Sequence, residues 1–142
     1  MAIYSLSQRV SNFTSAQACW EIRTSSALRP RIYEIGITLN TGTACTVGVG
    51  RPAAIGITPG GTASFQAEEP QDPASTLTGA LSWATSPTAP TQYFRRVSLP
   101  ATVGAGIVWT FPRGLVVPIS SAIVIFNITT MVAADVWAVA DE

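Results

Sequence analysis

RIYEIGITLN, residues 31–40, alternates side-chain character at every step. Tyr33, Ile35, Ile37 and Leu39 fall on one face, and Glu34, Gly36, Thr38 and Asn40 on the other. A period of two is the signature of a strand with one face buried, since successive side chains of an extended chain point to opposite sides. ACWEIR, residues 18–23, repeats the pattern, with Trp20 and Ile22 opposed to Glu21 and Arg23. AIVIFNI, residues 122–128, does not alternate, and a continuous apolar run of this length fits a central strand covered on both faces.

Outward from these segments, further strands are expected at Ile3–Leu6, Cys45–Gly50, Leu77–Trp83, Phe94–Leu99, Ile107–Phe111, Leu115–Val117 and Val136–Ala140. No helical period persists beyond about two turns, and Gly, Pro, Asn and Thr punctuate the runs. The expectation is an all-β fold: a single-domain antiparallel β-sandwich over residues 1–142, jelly-roll-like, with about eight to ten short strands. The uncharged stretch 114–134 is as long as a membrane-spanning helix. Its Pro118, its Ser, Thr and Asn residues and its β-branched content favour two strands and a turn instead.

Two connections are long for a compact domain. Residues 51–76 carry four prolines and the one acidic cluster, and residues 84–92 are rich in Thr and Pro. Such loops are candidate contact arms, with a solvated excursion as the alternative. In FPRGL, residues 111–115, Pro112, Arg113 and Gly114 suit the second to fourth positions of a type I turn. That places Arg113 at a hairpin tip between the large apolar residues Phe111 and Leu115.

The chemistry is bounded by absent residue types. The chain has no histidine, and all eight basic residues are arginine. A Ser/His/Asp or Cys/His nucleophile cannot be built, and neither can a P-loop or a Schiff base. Glu68, Glu69 and Asp72 are spaced by prolines like a surface loop, without the glycine-centred spacing of a calcium loop. The glycine pairs in VGVGRPAAIG and TVGAGI do not complete a phosphate-binding motif and read as bends or close backbone approaches. The reading is therefore a protein that is not an enzyme and holds no cofactor. Cys19 and Cys45 have no metal-ligand spacing and read as small buried hydrophobes.

Eight acids balance the eight arginines, so no net field attracts nucleic acid or an anionic membrane. Only 11% of residues are charged, too few for an isolated, well-solvated monomer, which points to an assembly component. The Asn12 and Asn127 sequons need a secretory route, for which MAIYSLSQRV is not a signal. Arg95 and Arg96, adjacent on a strand, face opposite sides, and an inward arginine would need Glu34 or Glu21 as partner. Trp83, Tyr93 and Trp109 are the aromatics that a glycan-binding module would use as stacking platforms.

The segments WEIR, YEIGITL, GVGRPAAIG, EEPQDPAS, FRRVSLPATVGAGIVWTFPRGLVV and DVWAVADE together resemble small virion proteins of tailed bacteriophages. The resemblance spans nearly the whole chain and is nearest in kind to capsid decoration, or cement, proteins. It implies a β-sandwich that forms homotrimers on the outer surface of the head, made in the host cytoplasm, with itself and the major capsid protein as partners. A tail, baseplate or fibre-attached module and a receptor- or glycan-binding sandwich are the alternatives. The residues expected at an interface are Arg51, Glu68, Glu69, Asp72, Phe111, Arg113 and Leu115.

Overall fold

The computed structural model describes residues 1–25 and 27–142; for Asn12 and Phe13 only the backbone is described. Thirteen strands follow one another: β1 (Ile3–Phe13), β2 (Gln17–Thr24), β3 (Arg31–Leu39), β4 (Cys45–Gly50), β5 (Ile57–Gly60), β6 (Ala63–Ser64), β7 (Gln66–Ala67), β8 (Leu77–Ala80), β9 (Ser82–Thr85), β10 (Tyr93–Leu99), β11 (Gly106–Val116), β12 (Ala122–Asn127) and β13 (Met131–Asp141). Eight of them make the body. One sheet runs β11-β3-β13-β1-β7, and the second runs β10-β4-β12-β2-β8-β6. With the short strands β5 to β9 set aside, the eight fall into the 6-3-8-1 and 5-4-7-2 orders of a jelly roll, all pairings antiparallel.

The inner faces meet as the alternation requires. Ile35, Ile37 and Leu39 of β3 and Val136, Ala138 and Ala140 of β13 pack against Trp20, Ile22, Val47, Val49, Ile123 and Ile125 of the opposite sheet. Tyr33 is the exception within the opening segment. The β3–β13 register shifts between Val139 and Ala140, so Ile32 takes the inward position and Tyr33 turns out to donate its hydroxyl to Asp141 at 2.8 Å. A one-residue slip of register exchanges the faces of a strand, and alternation alone does not reveal where a bulge will cause it. β12 is buried along its whole length, as its unbroken apolar run requires.

The segment between β4 and β10 is a folded insertion. Its antiparallel pair β5–β9 lies over the outer face of the second sheet, where Trp83 packs with Ala18, Val124 and Phe126. Its next strands extend both sheets on one side: β6 and β8 pair beyond β2, and β7 pairs beyond β1. Phe65, between β6 and β7, closes this side of the sandwich, stacking on Trp20 with centroids 6.5 Å apart and planes 14° from parallel. The proline-rich 51–76 segment is thus mostly packed on the body of the chain, which leaves its acidic turn as the part that projects.

The opposite side stays open. β10 and β11 are the outermost strands of their sheets and carry free edges. Residues 114–134 form the end of β11, all of β12 and the start of β13. Among the described residues no helix is long and apolar enough to cross a membrane.

Candidate interaction site at the open edge

The expected hairpin at Phe111–Leu115 does not form. Both halves of β11 pair with the same strand, Thr110 with Glu34 and Leu115 with Ile32, so Phe111 to Gly114 lie opposite Tyr33 alone. The FPRG segment is therefore an enlarged bulge within one edge strand. Its turn chemistry is used locally, since Gly114 adopts φ +68° and a Cβ there would stand 2.7 Å from the Arg31 Cβ. The chain bends but does not reverse, because Leu115 and Val116 are held by β3 and Val117 donates to the Pro30 carbonyl at 2.8 Å. Pro112 and the bulge also interrupt the edge ladder, a device that discourages strand-on-strand addition.

The bulge shapes a shallow hollow of about 370 Å³ lined by Arg95, Phe111, Pro112, Arg113, Gly114 and Leu115. Phe111 reaches into the core cluster from it and Leu115 packs against that cluster, while Pro112 and Arg113 are exposed. Phe111 and Leu115 thus face their own core and show only their margins to solvent. The guanidinium of Arg95 lies over the Phe111 ring, 5.6 Å from its centroid, and donates to the Phe94 carbonyl at 2.8 Å. Arg51, at the end of β4, stacks 5.1 Å over Phe94 and donates to the Val116 carbonyl at 2.7 Å, linking the two sheets across the open side. Of the expected residues, Arg51, Phe111, Arg113 and Leu115 are therefore brought together here.

Glu68, Glu69 and Asp72 lie elsewhere. They follow β7, at the far edge of the first sheet, four strand spacings or about 19 Å from β11. Among the described residues no three His, Cys, Asp or Glu side chains converge to hold a metal ion.

The ion pair expected for Arg95 or Arg96 is absent. Arg96 stacks on Tyr93 at 5.6 Å, Glu34 accepts from the Trp137 indole at 2.9 Å, and Glu21 is engaged on the opposite side of β2. On an edge strand both arginines reach solvent, so neither requires a carboxylate. Glu21 is fully buried, accepting from Trp83 Nε1 at 2.5 Å and from the Gly56 amide at 3.0 Å, with Arg23 3.8 Å away. Sequence reasoning placed Glu21 on the face opposite Trp20 but missed that this face is also covered. The covering strands come from the distant insertion, and no local signal marks the contact.

Trp109 belongs to the core and Trp83 and Tyr93 are half-buried, packed against the second cluster, so the three aromatics do not form an exposed row. Cys19 and Cys45 are free and buried, and burial pushes both thiols up. Asn127 is fully buried, which removes its sequon from any glycosylation of the folded chain; the Asn12 sequon lies outside the described side chains.

No protein-family model, no curated protein and no solved structure matches this chain.

Proposed function

We propose that the chain is a non-enzymatic structural protein of a tailed-phage virion, and within that class a head decoration protein. It would associate with itself as a homotrimer on the outer capsid surface and bridge neighbouring capsomers of the major capsid protein. The observation that carries the reading is the open edge: the jelly-roll body presents an apolar hollow lined by Arg95 and Arg113, with Arg51 stacked on Phe94 beside it. The resemblance of the sequence to phage virion proteins supplies the biological setting, because a fold alone does not specify a function.

The mechanism is passive. Each small contact is weak alone, and symmetry and simultaneous engagement multiply it. The partners of this reading are the chain itself and the major capsid protein, with neither nucleic acid nor membrane among them. Cryo-electron microscopy of virions carrying a labelled copy of the chain tests the reading. Density at capsomer junctions is expected, and density confined to the tail, or none on the head, overturns it.

A further inference from the structure

A chain of zero net charge distributes its uncompensated charges unevenly. Among the described residues two ion pairs form, Arg9–Asp135 and Arg23–Glu21. Three of the remaining acids keep their charge but are tied down by neutral donors of their own chain: Glu34 by Trp137, Asp141 by Tyr33 and the Arg31 amide, and Glu142 by Ser75 and Thr76. Glu68, Glu69 and Asp72 are left, all on the turn after β7. Of the six arginines outside ion pairs, Arg29 and Arg31 line a hollow together with Asp141 and Glu142, and Arg51, Arg95, Arg96 and Arg113 lie about β10 and β11, with aromatic rings and carbonyls as partners but no carboxylate. The hollow at the β11 bulge is therefore lined by two arginines without a carboxylate, Arg95 and Arg113, and the turn after β7 carries three carboxylates that are in no ion pair among the described residues.

The acidic turn is built to project. Its entry is pinned by the Glu68 amide on the Ile3 carbonyl at 2.9 Å, and it turns through the Asp72 amide on the Glu69 carbonyl at 3.0 Å. Its exit is held by the Tyr4 hydroxyl on the Pro73 carbonyl at 3.0 Å and by Ser75 on Glu142 at 2.7 Å. The turn therefore pays little ordering entropy on docking. It cannot reach the hollow of its own subunit across the width of the sheet.

We propose that the occupant of the hollow is the acidic turn of a second copy of this chain, giving head-to-tail association through the two edges. Glu68 and Glu69 would face Arg95 and Arg113, and Pro70 would lie against Phe111, Pro112 and Leu115. Pro112 and the bulge make this a side-chain contact and not an added strand. Because the two surfaces differ, the contact is heterologous and propagates in one direction, as a ring where the rotation closes and as an open filament where it does not, and not as a two-fold dimer. The inference deepens the proposed function in naming the self-association surface, and it is tested in solution without any virion.

Single cysteines at Arg113→Cys and Glu69→Cys decide between the geometries, since the native Cys19 and Cys45 are buried and stay out of the reaction. Under mild oxidation the two variants mixed are expected to form a disulfide-linked pair, and each alone is not. Cross-linking of Arg113→Cys with itself, or no cross-link in the mixture, overturns the proposal. Sedimentation supplies an independent arm. Arg95→Glu with Arg113→Glu, or Glu68→Arg with Glu69→Arg, is expected to weaken association at least tenfold, and mixing the two reversed proteins to restore it. A native chain that stays monomeric at millimolar concentration and low salt, or reversals without effect, also overturns it. Head-to-tail association without capsid binding would leave this inference standing and remove the decoration reading, and the reverse result would do the opposite.

Discussion

At the residue scale, neighbours in FPRG carry unequal structural weight. Arg113 is exposed and its guanidinium has no hydrogen-bond or ion-pair partner among the described residues; its backbone carbonyl, which accepts from Arg31 at 3.0 Å, survives any side-chain change. Arg113→Ala is expected to change stability by less than about 0.5 kcal/mol. Gly114→Ala, one position on, introduces a Cβ into a left-handed conformation and against Arg31, and is expected to cost about 1–3 kcal/mol. Urea midpoints of the two variants check the contrast, and equal losses would mean that the bulge geometry is misassigned. A second residue-scale effect depends on pH. The hydrogen bonds from Arg9 hold the Asp135 carboxyl below its ordinary range. A depressed folded-state pKa contributes stability that is complete above the unfolded carboxylate range and is lost as pH falls through the folded value. The melting temperature of Arg9→Ala should therefore lie slightly below that of the native chain at neutral pH, and the difference should vanish once pH has fallen below the depressed folded value, where the carboxylate is protonated in both states. Since both side chains are well exposed, the difference is small, and a difference that persists in acid would assign it to packing of the Arg9 stem.

At the element scale, the second sheet owes its covered outer face to a polar contact. Glu21 is opposed to Trp20 on β2 and would be exposed in a simple sandwich, but the β5–β9 pair lies over it, and Trp83 Nε1 of β9 and the Gly56 amide just before β5 are its donors. Removing the carboxylate leaves two buried donors unpaired, so Glu21→Leu is expected to destabilise by about 3 kcal/mol. Trp83→Phe should lose less, because one donor disappears together with its bond. Thermal unfolding of both checks the order, and a larger loss for Trp83→Phe would locate the stabilisation in the indole's packing. This contact also marks the limit of what was legible beforehand. Alternation in RIYEIGITLN and ACWEIR identified the strands and most of their inward faces, and the unbroken AIVIFN run identified a doubly covered strand, because burial of a face leaves a local period. The bulges at Tyr33 and at FPRG escaped, since their position depends on which strand lies alongside. The turn residues of FPRG were recognised, but the partner strand, and not the turn, decides whether a chain reverses or bends. The grouping of Arg51 with Phe111, Arg113 and Leu115 followed from topology, which likewise set Glu68, Glu69 and Asp72 on the other edge.

For the whole molecule, the jelly-roll order makes the ends of the chain neighbours. β1 pairs with β13 from Ile3 opposite Asp141 to Phe13 opposite Met131, and Ala2 and Glu142 exchange backbone hydrogen bonds at 3.4 and 3.2 Å. The first sheet therefore cannot be completed until the last strand arrives. Such non-local pairing carries the loop-closure cost of nearly the whole chain and places folding in the milliseconds-to-seconds range, on the order of that for all-β sandwiches. The same adjacency means that a short Gly/Ser linker can join residue 142 to residue 1 with little disturbance, and new ends can be opened where Ile119 and Ser120 are exposed between β11 and β12. This circular permutant is expected to keep the native circular-dichroism spectrum and cooperative unfolding, and to refold faster, because the β1–β13 closure becomes local. A chain truncated after Thr130, which lacks β13, should remain unfolded, since both β1 and β3 lose their central partner. If the truncated chain folds cooperatively, β13 is an accessory to the sheet and the jelly-roll order does not govern its stability; if the permutant refolds no faster, closure of the chain ends is not the slow step.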